Sequence, residues 1–179
     1  MNSPHYLPDA EFAPAPAGAR VRLTTLLSSV IIFLAITAVL LMASREHNPP
    51  PGPAVGAIAI VPVALYLGWF VSRIRRYRLA GNELRVELPL RTLRFPLAGL
   101  TGVDPDREAM RRAWKVYGND GLGAVTGRFR SKRLGAFRAY LTDVEHAVVL
   151  RWPDRCVVIS PHQHSYFVET VRKRAGLAR

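Results

Sequence analysis

The sequence predicts a membrane protein in which a two-helix transmembrane hairpin precedes a mainly β cytoplasmic domain. Two long uncharged apolar stretches come first, a short proline-rich connector joins them, and short apolar runs broken by Gly, Pro and Asp follow. Charge divides the chain at the same place. Residues 1–71 hold 3 Arg and 3 acidic residues, whereas residues 72–179 hold 22 basic and 10 acidic ones and carry the whole net charge of +12.

The two apolar stretches have the length of membrane-spanning helices. Residues 23–43 are 21 residues without a charge, and at about 1.5 Å per residue they cross a hydrocarbon layer of about 30 Å. Residues 54–72 add 19 uncharged residues, with Pro62 as a tolerated kink and Tyr66, Trp69 and Phe70 at the end. The alternatives are a pair of buried core helices, or a cleaved signal peptide at the first stretch. The first apolar run is longer than a usual signal peptide core, so we interpret it as a retained helix.

Arginines flank the hairpin on one side of the membrane. The connector, residues 44–53, contains four prolines and is nearly neutral. The positive-inside rule therefore places both termini in the cytoplasm. The flanking arginines are Arg20 and Arg22 before the first helix, and Arg73, Arg75, Arg76 and Arg78 after the second. We accordingly divide the chain into a disordered tail at 1–19, a hairpin at 20–78 with helices at about 23–43 and 54–72, and a β domain at 79–179.

The β domain is predicted from period-two alternation. Residues 83–88 alternate polar and apolar side chains, and after Pro89 residues 91–95 return as a hairpin partner. Further strands are expected at 114–117, 124–129, 136–142, 147–152 and 156–159. About seven short strands indicate a small sandwich or barrel. A final helix is expected from Ser160, as N-cap before Pro161, to a stop at Gly176.

Five segments of the β region match a known pattern: residues 77–84 (YRLAGNEL), 118–123 (GNDGLG), 127–129 (GRF), 134–143 (LGAFRAYLTD) and 159–161 (ISP). In their order and spacing they resemble the bacterial PH-like domain family of membrane proteins. The resemblance implies a PH-like fold, with two near-orthogonal antiparallel sheets and a C-terminal helix. Eukaryotic PH domains that bind phosphoinositides use a dense basic cluster around the first hairpin loop. Here that hairpin has only Arg85, Arg91 and Arg94, so phosphoinositide recognition is not expected.

Two local features are candidate binding sites. Gly118, Asn119, Gly121 and Gly123 lie in a glycine-rich stretch whose backbone N–H groups would suit a phosphate or carboxylate. A plain hairpin turn with a bulge is the favoured alternative. The densest basic region of the domain would face anionic lipid, an acidic partner or solvent, and nucleic acid is not expected because no stacking platform is evident. This region consists of Arg128, Arg130, Lys132, Arg133 and Arg138.

No catalytic, metal or cofactor site is expected. His162 and His164 would point to different faces of a helix, and Asp104 with Asp106 is typical of a turn around a proline. Cys156 lies in an apolar run and is interpreted as a buried small hydrophobe. The expected function is a non-enzymatic interaction module anchored as a multi-pass protein in the bacterial inner membrane. It would bind a protein or peptide partner, by strand addition at an exposed sheet edge. The alternative is a domain that binds anionic lipid headgroups.

Overall fold

The computed structural model describes residues 8–44 and 52–177 and contains two apolar helices before a β domain. Helix α1 spans Ala19–Ala43 and α2 spans Gly52–Ser72. A short strand precedes them, nine strands follow, and helix α3 comes last. The strands are β1 (Ala10–Phe12), β2 (Arg76–Ala80), β3 (Glu83–Glu87), β4 (Thr92–Pro96), β5 (Gly102–Pro105), β6 (Trp114–Asp120), β7 (Val125–Ser131), β8 (Gly135–Leu141), β9 (Val148–Arg151) and β10 (Cys156–Ile159), and α3 is His164–Ala175.

The strands form two sheets that share one core with α3. The first sheet has the order β1-β2-β3-β4, and the second has the order β5-β9-β10-β8-β7-β6. Leu84 from the first sheet, Leu150 from the second and Phe167 from α3 are all fully buried in this core. Two sheets and a C-terminal helix agree with the predicted PH-like domain. The expectation of purely antiparallel sheets is wrong, because β10 pairs with β8 in parallel.

The strand predictions hold best where side chains alternate. Strand β3 shows alternating buried and half-buried residues, as its sequence predicts, and β10 has the predicted bounds. Strands β2 and β5 were not predicted. The turn expected around Pro105 begins later than predicted, because Asp104 lies in β5, which pairs with β9, and the turn follows at Asp106, whose carbonyl accepts the Ala109 N–H at 3.1 Å. A strand of four residues that ends in a proline resembles a turn in the sequence, and here its partner strand holds it extended.

Residues 8–18, which we call the N-terminal strap, are not the disordered tail that the sequence predicts. Strand β1 pairs antiparallel with β2, and Phe12 is buried with an edge-to-face contact to Phe167 at 5.0 Å. Further along, the Gly18 N–H donates to the Thr142 carbonyl at 3.0 Å. The strap therefore belongs to the β domain. The expected tail residues 1–7 lie outside the described residues.

The last helix begins later than predicted. Ser160 is fully buried, and its hydroxyl accepts the Thr142 N–H at 2.8 Å, so it is not a helix cap. Helix α3 instead starts at His164 after Gln163. Its predicted end is confirmed, because Gly176 adopts the left-handed conformation with φ 67°.

Helix α1 is the one described helix that meets the length and hydropathy of a membrane span. The segment Ala19–Met42 has 24 residues, a mean hydropathy of 2.6 and no buried share. A helix of this kind occurs both in membrane anchors and in N-terminal signal sequences. In α2, the apolar segment among the described residues is the shorter Ile60–Ser72. The second span of the expected hairpin stays a prediction.

Candidate functional site

Three arginines of the predicted basic region share one face of neighbouring strands, which we call the arginine face. Arg128 and Arg130 lie on β7, and Arg138 lies directly opposite Arg128 on β8. Because strand side chains alternate, the neighbouring Phe129 and Phe137 point the other way, where both are buried with ring centroids 6.0 Å apart. The arginine face thus comprises Arg128, Arg130 and Arg138.

The arginine face borders a cleft of about 560 Å³ that has little negative charge. Arg94 and Arg155 also line it, and Asp154 is the acidic residue among its lining residues. The Asp154 carboxylate is already 3.9 Å from Arg155 Nε. Within the described ranges, no carboxylate pairs with the three guanidiniums of the arginine face. The cleft therefore has an excess of positive charge that favours an anionic ligand.

The nearby Tyr140 side chain lies under the influence of this positive charge. Burial raises the pKa of the Tyr140 hydroxyl above its usual 10.0, and the charges of Arg138, Arg91 and Arg128 oppose that rise. The opposition follows from their charge, because positive charge favours the tyrosinate.

Exposed aromatic residues flank the arginine face on β6. Trp114 lies opposite Arg130 and Tyr117 lies opposite Arg128, with exposed fractions of 51% and 76%. Strand β6 lies at the edge of the six-stranded sheet, because β7 is the one described strand that pairs with it. The sequence predicts a strand here but does not predict that its side chains are exposed. The available signal is the composition of residues 114–117, where Lys115 lies among apolar side chains. In the structure these residues show no alternation of buried and exposed side chains.

Lys132 and Arg133 do not join the arginine face. Both lie between β7 and β8, and Arg133 Nη2 is bound to the carboxylate of Asp106. Lys132 lines a separate cavity of about 440 Å³ beside Trp114. The predicted basic region is therefore split between the arginine face and the β7–β8 turn.

The glycine-rich stretch is a tight hairpin, as the alternative reading of the sequence predicted. Gly118 and Gly127 face each other on β6 and β7 with φ of 122° and 136°. A Cβ on Gly127 would lie 2.1 Å from the Tyr117 carbonyl oxygen, so the two backbones meet too closely for any side chain. This close approach requires glycine at positions 118 and 127, where the β6 and β7 backbones lie side by side before the turn.

The turn, Gly121 to Ala124, uses its own N–H groups internally and on α1. The Asn119 side chain donates to the carbonyls of Leu122 and Ala124, and its oxygen accepts the Leu122 N–H at 3.2 Å. The Gly121 N–H donates to the Ala124 carbonyl at 3.1 Å, and the Gly123 N–H donates to Thr25 Oγ1 at 3.2 Å. These bonds leave the N–H groups of 121–123 committed. The anion cradle considered for Gly118, Asn119, Gly121 and Gly123 is not supported by this geometry.

The same turn packs against the beginning of α1 and the end of α2, which we call the helix bases. A Cβ on Gly121 would lie 2.8 Å from Thr24 Oγ1, and one on Gly123 would lie 2.6 Å from Trp69 Cδ1. Leu122 lines a small cavity of about 290 Å³ between α1 and α2. Arg20 adds an ion pair with Asp120 at 2.7 Å. The β6–β7 hairpin thus connects the arginine face to the two helices.

The other arginines that flank the helices differ in their partners. Arg76 pairs with Glu11 of the strap and Glu87 of β3, and Arg78 pairs with Asp9 and Glu11 of the strap. The Arg73 guanidinium lies 4.8 Å from the centroid of the Trp69 ring. Among the described side chains, Arg22 and Arg75 have no ion pair.

The titratable side chains offer little chemistry. His146 Nδ1 lies 2.6 Å from Asp143 Oδ2, and the His164 ring is edge-on to His146 at 5.7 Å. Across the part of the chain that the structure describes, no group of three or more His, Cys, Asp or Glu side chains is placed to hold a metal ion. Burial raises the pKa of the half-buried Cys156 thiol, which weakens it as a nucleophile.

Comparison with known proteins identifies the β domain. The bacterial PH domain family model matches residues 75–175, which is more than half of the 179 residues. No curated protein and no solved structure matches the chain. PH domains are generally non-enzymatic interaction modules that bind lipids or proteins. The matched region starts just before β2 and ends at the last residue of α3, and the chain belongs to the bacterial PH domain family.

Proposed function

We propose that the protein is a membrane-anchored interaction module without enzymatic activity, whose PH-like domain binds a partner protein or peptide at the cytoplasmic face of a bacterial inner membrane. The observation that carries this proposal is the arginine face, with Trp114 and Tyr117 exposed beside it. Trp, Tyr and Arg are the residue types that supply most binding energy at protein interfaces. Here they share one surface that the rest of the described chain leaves open.

The charge of this surface specifies the partner's chemistry. The cleft beside the arginine face has unpaired guanidiniums and one carboxylate that is already close to Arg155. A partner segment that carries Asp or Glu side chains would form charge-assisted hydrogen bonds there and would be steered toward it by long-range attraction. A second copy of the same basic surface would be repelled.

The binding mode that the geometry favours is contact with the sheet face. Strand β6 has a free edge, but a register shift between Lys115 and Tyr117 marks a β-bulge in it. Bulges and lysines on edge strands oppose the pairing of an additional strand. We therefore favour an acidic segment that packs across Trp114, Tyr117 and the arginine face over the addition of a strand to β6.

The proposed anchor comprises α1 and α2, with both termini in the cytoplasm. Helix α1 supports it through its length and hydropathy, and the arginines near the helix bases support the orientation. In this arrangement the docked β6–β7 turn holds the arginine face near the inner membrane surface. Protease treatment of spheroplasts, in which the outer face of the inner membrane is accessible, should leave the β domain uncut, and cleavage of the domain from that face would contradict the orientation.

Site-specific photo-crosslinking tests the proposed partner. A photoreactive amino acid at position 117 in the full-length protein should give a protein adduct in native membranes. The same amino acid at Tyr166, which is exposed on α3, should not give that adduct. Arg128→Glu with Arg138→Glu should abolish the adduct. A matched pair of charge reversals at Arg107 and Lys173, which are exposed and outside the cleft, should leave it intact.

Two results would contradict the proposed partner. Equal adducts from positions 117 and 166 would show that the crosslink does not depend on this surface. An adduct that persists in the Arg128→Glu/Arg138→Glu protein, at the yield of the control pair, would show that the arginines do not bind the partner.

A second candidate function is the binding of anionic lipid headgroups by the arginine face. It is favoured by the docking of the β6–β7 turn on the helix bases, which brings Tyr117 and Arg128 close to the proposed membrane surface. A polarity-sensitive dye on Tyr117→Cys in a Cys156→Ala background tests it in nanodiscs. Lipid binding predicts a blue shift in anionic nanodiscs alone, and equal spectra in neutral and anionic nanodiscs would contradict it.

A further inference from the structure

A second cleft, which we call the exit cleft, lies where α2 ends and β2 begins. Its volume is about 640 Å³. The end of α2 and the segment after it form one wall, and the N-terminal strap and the β3–β4 turn form the others. The first wall contains Phe70, Arg73, Arg75 and Arg76, the strap contributes Glu11 and Pro14, and the turn contributes Pro89. The exit cleft is separate from the arginine face, with which it shares no lining residue.

Two positive charges in the exit cleft are free to bind an anion. Arg76 is already neutralised, because Nη1 is 2.9 Å from Glu11 and Nε is 3.0 Å from Glu87. Arg73 and Arg75 are exposed, and neither forms an ion pair within the described ranges. The Arg73 guanidinium is held over Trp69 at 4.8 Å. The cleft thus offers two unpaired guanidiniums, and the Glu11 carboxylate in its wall is already paired with Arg76.

The remaining wall is apolar and continues onto the helix. Phe70, Pro14 and Pro89 line the cleft, and Ile74 beneath them is buried. One turn earlier on α2, Tyr66 and Leu67 are exposed, and Leu90 beside Pro89 is 70% exposed. A ligand that fills this cleft therefore meets both the arginines and apolar side chains, with further exposed apolar residues close by in the chain.

We propose that the exit cleft binds one anionic glycerophospholipid of the leaflet that faces the β domain. Its phosphate would lie between Arg73 and Arg75, and an acyl chain would lie along Phe70 and the end of α2. The position at the end of an apolar helix, where headgroups meet the hydrocarbon layer, favours a lipid over a soluble phosphate. The site rests on the proposed membrane anchoring, but it does not depend on a partner at the arginine face.

Native mass spectrometry of the full-length protein in detergent tests the site with defined lipids. The wild-type protein should retain one phosphatidylglycerol in preference to phosphatidylcholine. Arg73→Gln with Arg75→Gln should weaken that retention by at least about tenfold, because charge-assisted hydrogen bonds are lost. The control is Arg107→Gln with Lys173→Gln, which removes the same charge from exposed positions outside the cleft. If the double variant unfolds, Arg75→Gln alone serves in its place, because it leaves the Arg73–Trp69 contact intact. The single variant should show a smaller loss of phosphatidylglycerol retention than the one expected for the double variant.

Several outcomes would overturn the lipid site. Equal retention of the two lipids, or equal loss in the double variant and the control pair, would show that the cleft does not select an anionic lipid. Displacement by soluble glycerol phosphate at the same concentration as the lipid would show that the phosphate alone is recognised. Retention of an acidic protein segment in place of the lipid would assign the cleft to a protein partner.

Alkaline carbonate extraction of native membranes separates this inference from the anchoring on which it rests. If the full-length protein is released, the proposed anchor fails and the lipid site fails with it. If the protein stays in the membrane and phosphatidylglycerol is not preferred, the lipid site alone is wrong. Retention together with the expected preference supports both.

Discussion

Replacing Gly123 by alanine should detach the β6–β7 turn from α2. Gly123 has φ of 76°, and a Cβ there would lie 2.6 Å from Trp69 Cδ1 and 3.2 Å from the Trp69 carbonyl oxygen. Either the turn must move away from the helix or the indole must leave its place beneath Arg73. Because the turn connects the strand that carries Arg128 and Arg130 to the helices, this substitution tests the connection between the proposed anchor and the proposed interaction surface.

The expected cost has two parts. A left-handed backbone conformation costs a residue with a Cβ about 1–2 kcal/mol, and forcing a methyl group into an occupied contact costs about 1–3 kcal/mol more. We therefore expect Gly123→Ala to lower the free energy of unfolding by about 2–5 kcal/mol. Gly135→Ala is the matched control, because Gly135 has φ of 67° and nothing within 4 Å of a Cβ. It should cost about 1–2 kcal/mol, from the backbone alone.

Thermal unfolding of the full-length variants in detergent, followed by the β-sheet circular dichroism signal, measures the difference. For a domain of about 100 residues, 1 kcal/mol corresponds to about 4–8 °C in the unfolding midpoint. Gly123→Ala should therefore unfold at a lower temperature than Gly135→Ala and should change the fluorescence of Trp69. Equal midpoints with unchanged fluorescence would refute the docking of the turn on α2.

The further predictions concern three single side chains of the β domain. The Tyr77 hydroxyl is buried and donates to the Tyr140 carbonyl at 2.8 Å, so Tyr77→Phe should cost about 1–3 kcal/mol in chemical denaturation at pH 7.5. Burial raises the pKa of Tyr77 from 10.0 to about 12, so the unfolded chain loses this proton first and wild-type stability should fall between pH 10 and 12. The fall should be smaller in Tyr77→Phe, and an equal fall would contradict this assignment. Asn119→Ala removes the side chain that binds the turn backbone and should lower the unfolding midpoint, with faster amide exchange at Leu122. Cys156 should react with maleimide more slowly in the folded protein than in denaturant at pH 7.5, since burial raises the pKa of its thiol; equal rates would place it at the surface.

Much of the fold was predictable because single strands carry their own patterns. Residues 83–87 alternate, and Asp154 with Arg155 separates two apolar strands, so β3 and the β9–β10 hairpin are visible in the sequence. The N-terminal strap was not predictable in this way. Its proline-rich composition is typical of disorder, and it is held extended by pairing with β2, some 65 residues further along the chain. Ser160 shows the same limit, because a buried hydrogen bond to Thr142 overrides its local preference for a helix cap.

The candidate site was predictable in part for a similar reason. Arg128, Arg130 and Arg138 come together because side chains two residues apart share a strand face and the β7–β8 register places Arg138 opposite Arg128. A count of basic residues along the chain does not distinguish these from Lys132 and Arg133, which occupy the turn between the strands. The contribution of Trp114 and Tyr117 depends on β6 being an edge strand, which only the order of strands in the sheet reveals.

We expect a partner to cover the surface around Tyr117 in the membrane. Labelling of Tyr117→Cys by a soluble maleimide, in a Cys156→Ala background, measures that cover directly. The experiment uses sheared native membranes with both faces accessible, and Tyr166→Cys is the exposed control. Position 117 should be protected relative to position 166 and should become reactive at high salt or with Arg128→Glu/Arg138→Glu. Equal labelling of both positions under all of these conditions would show that no partner covers this surface.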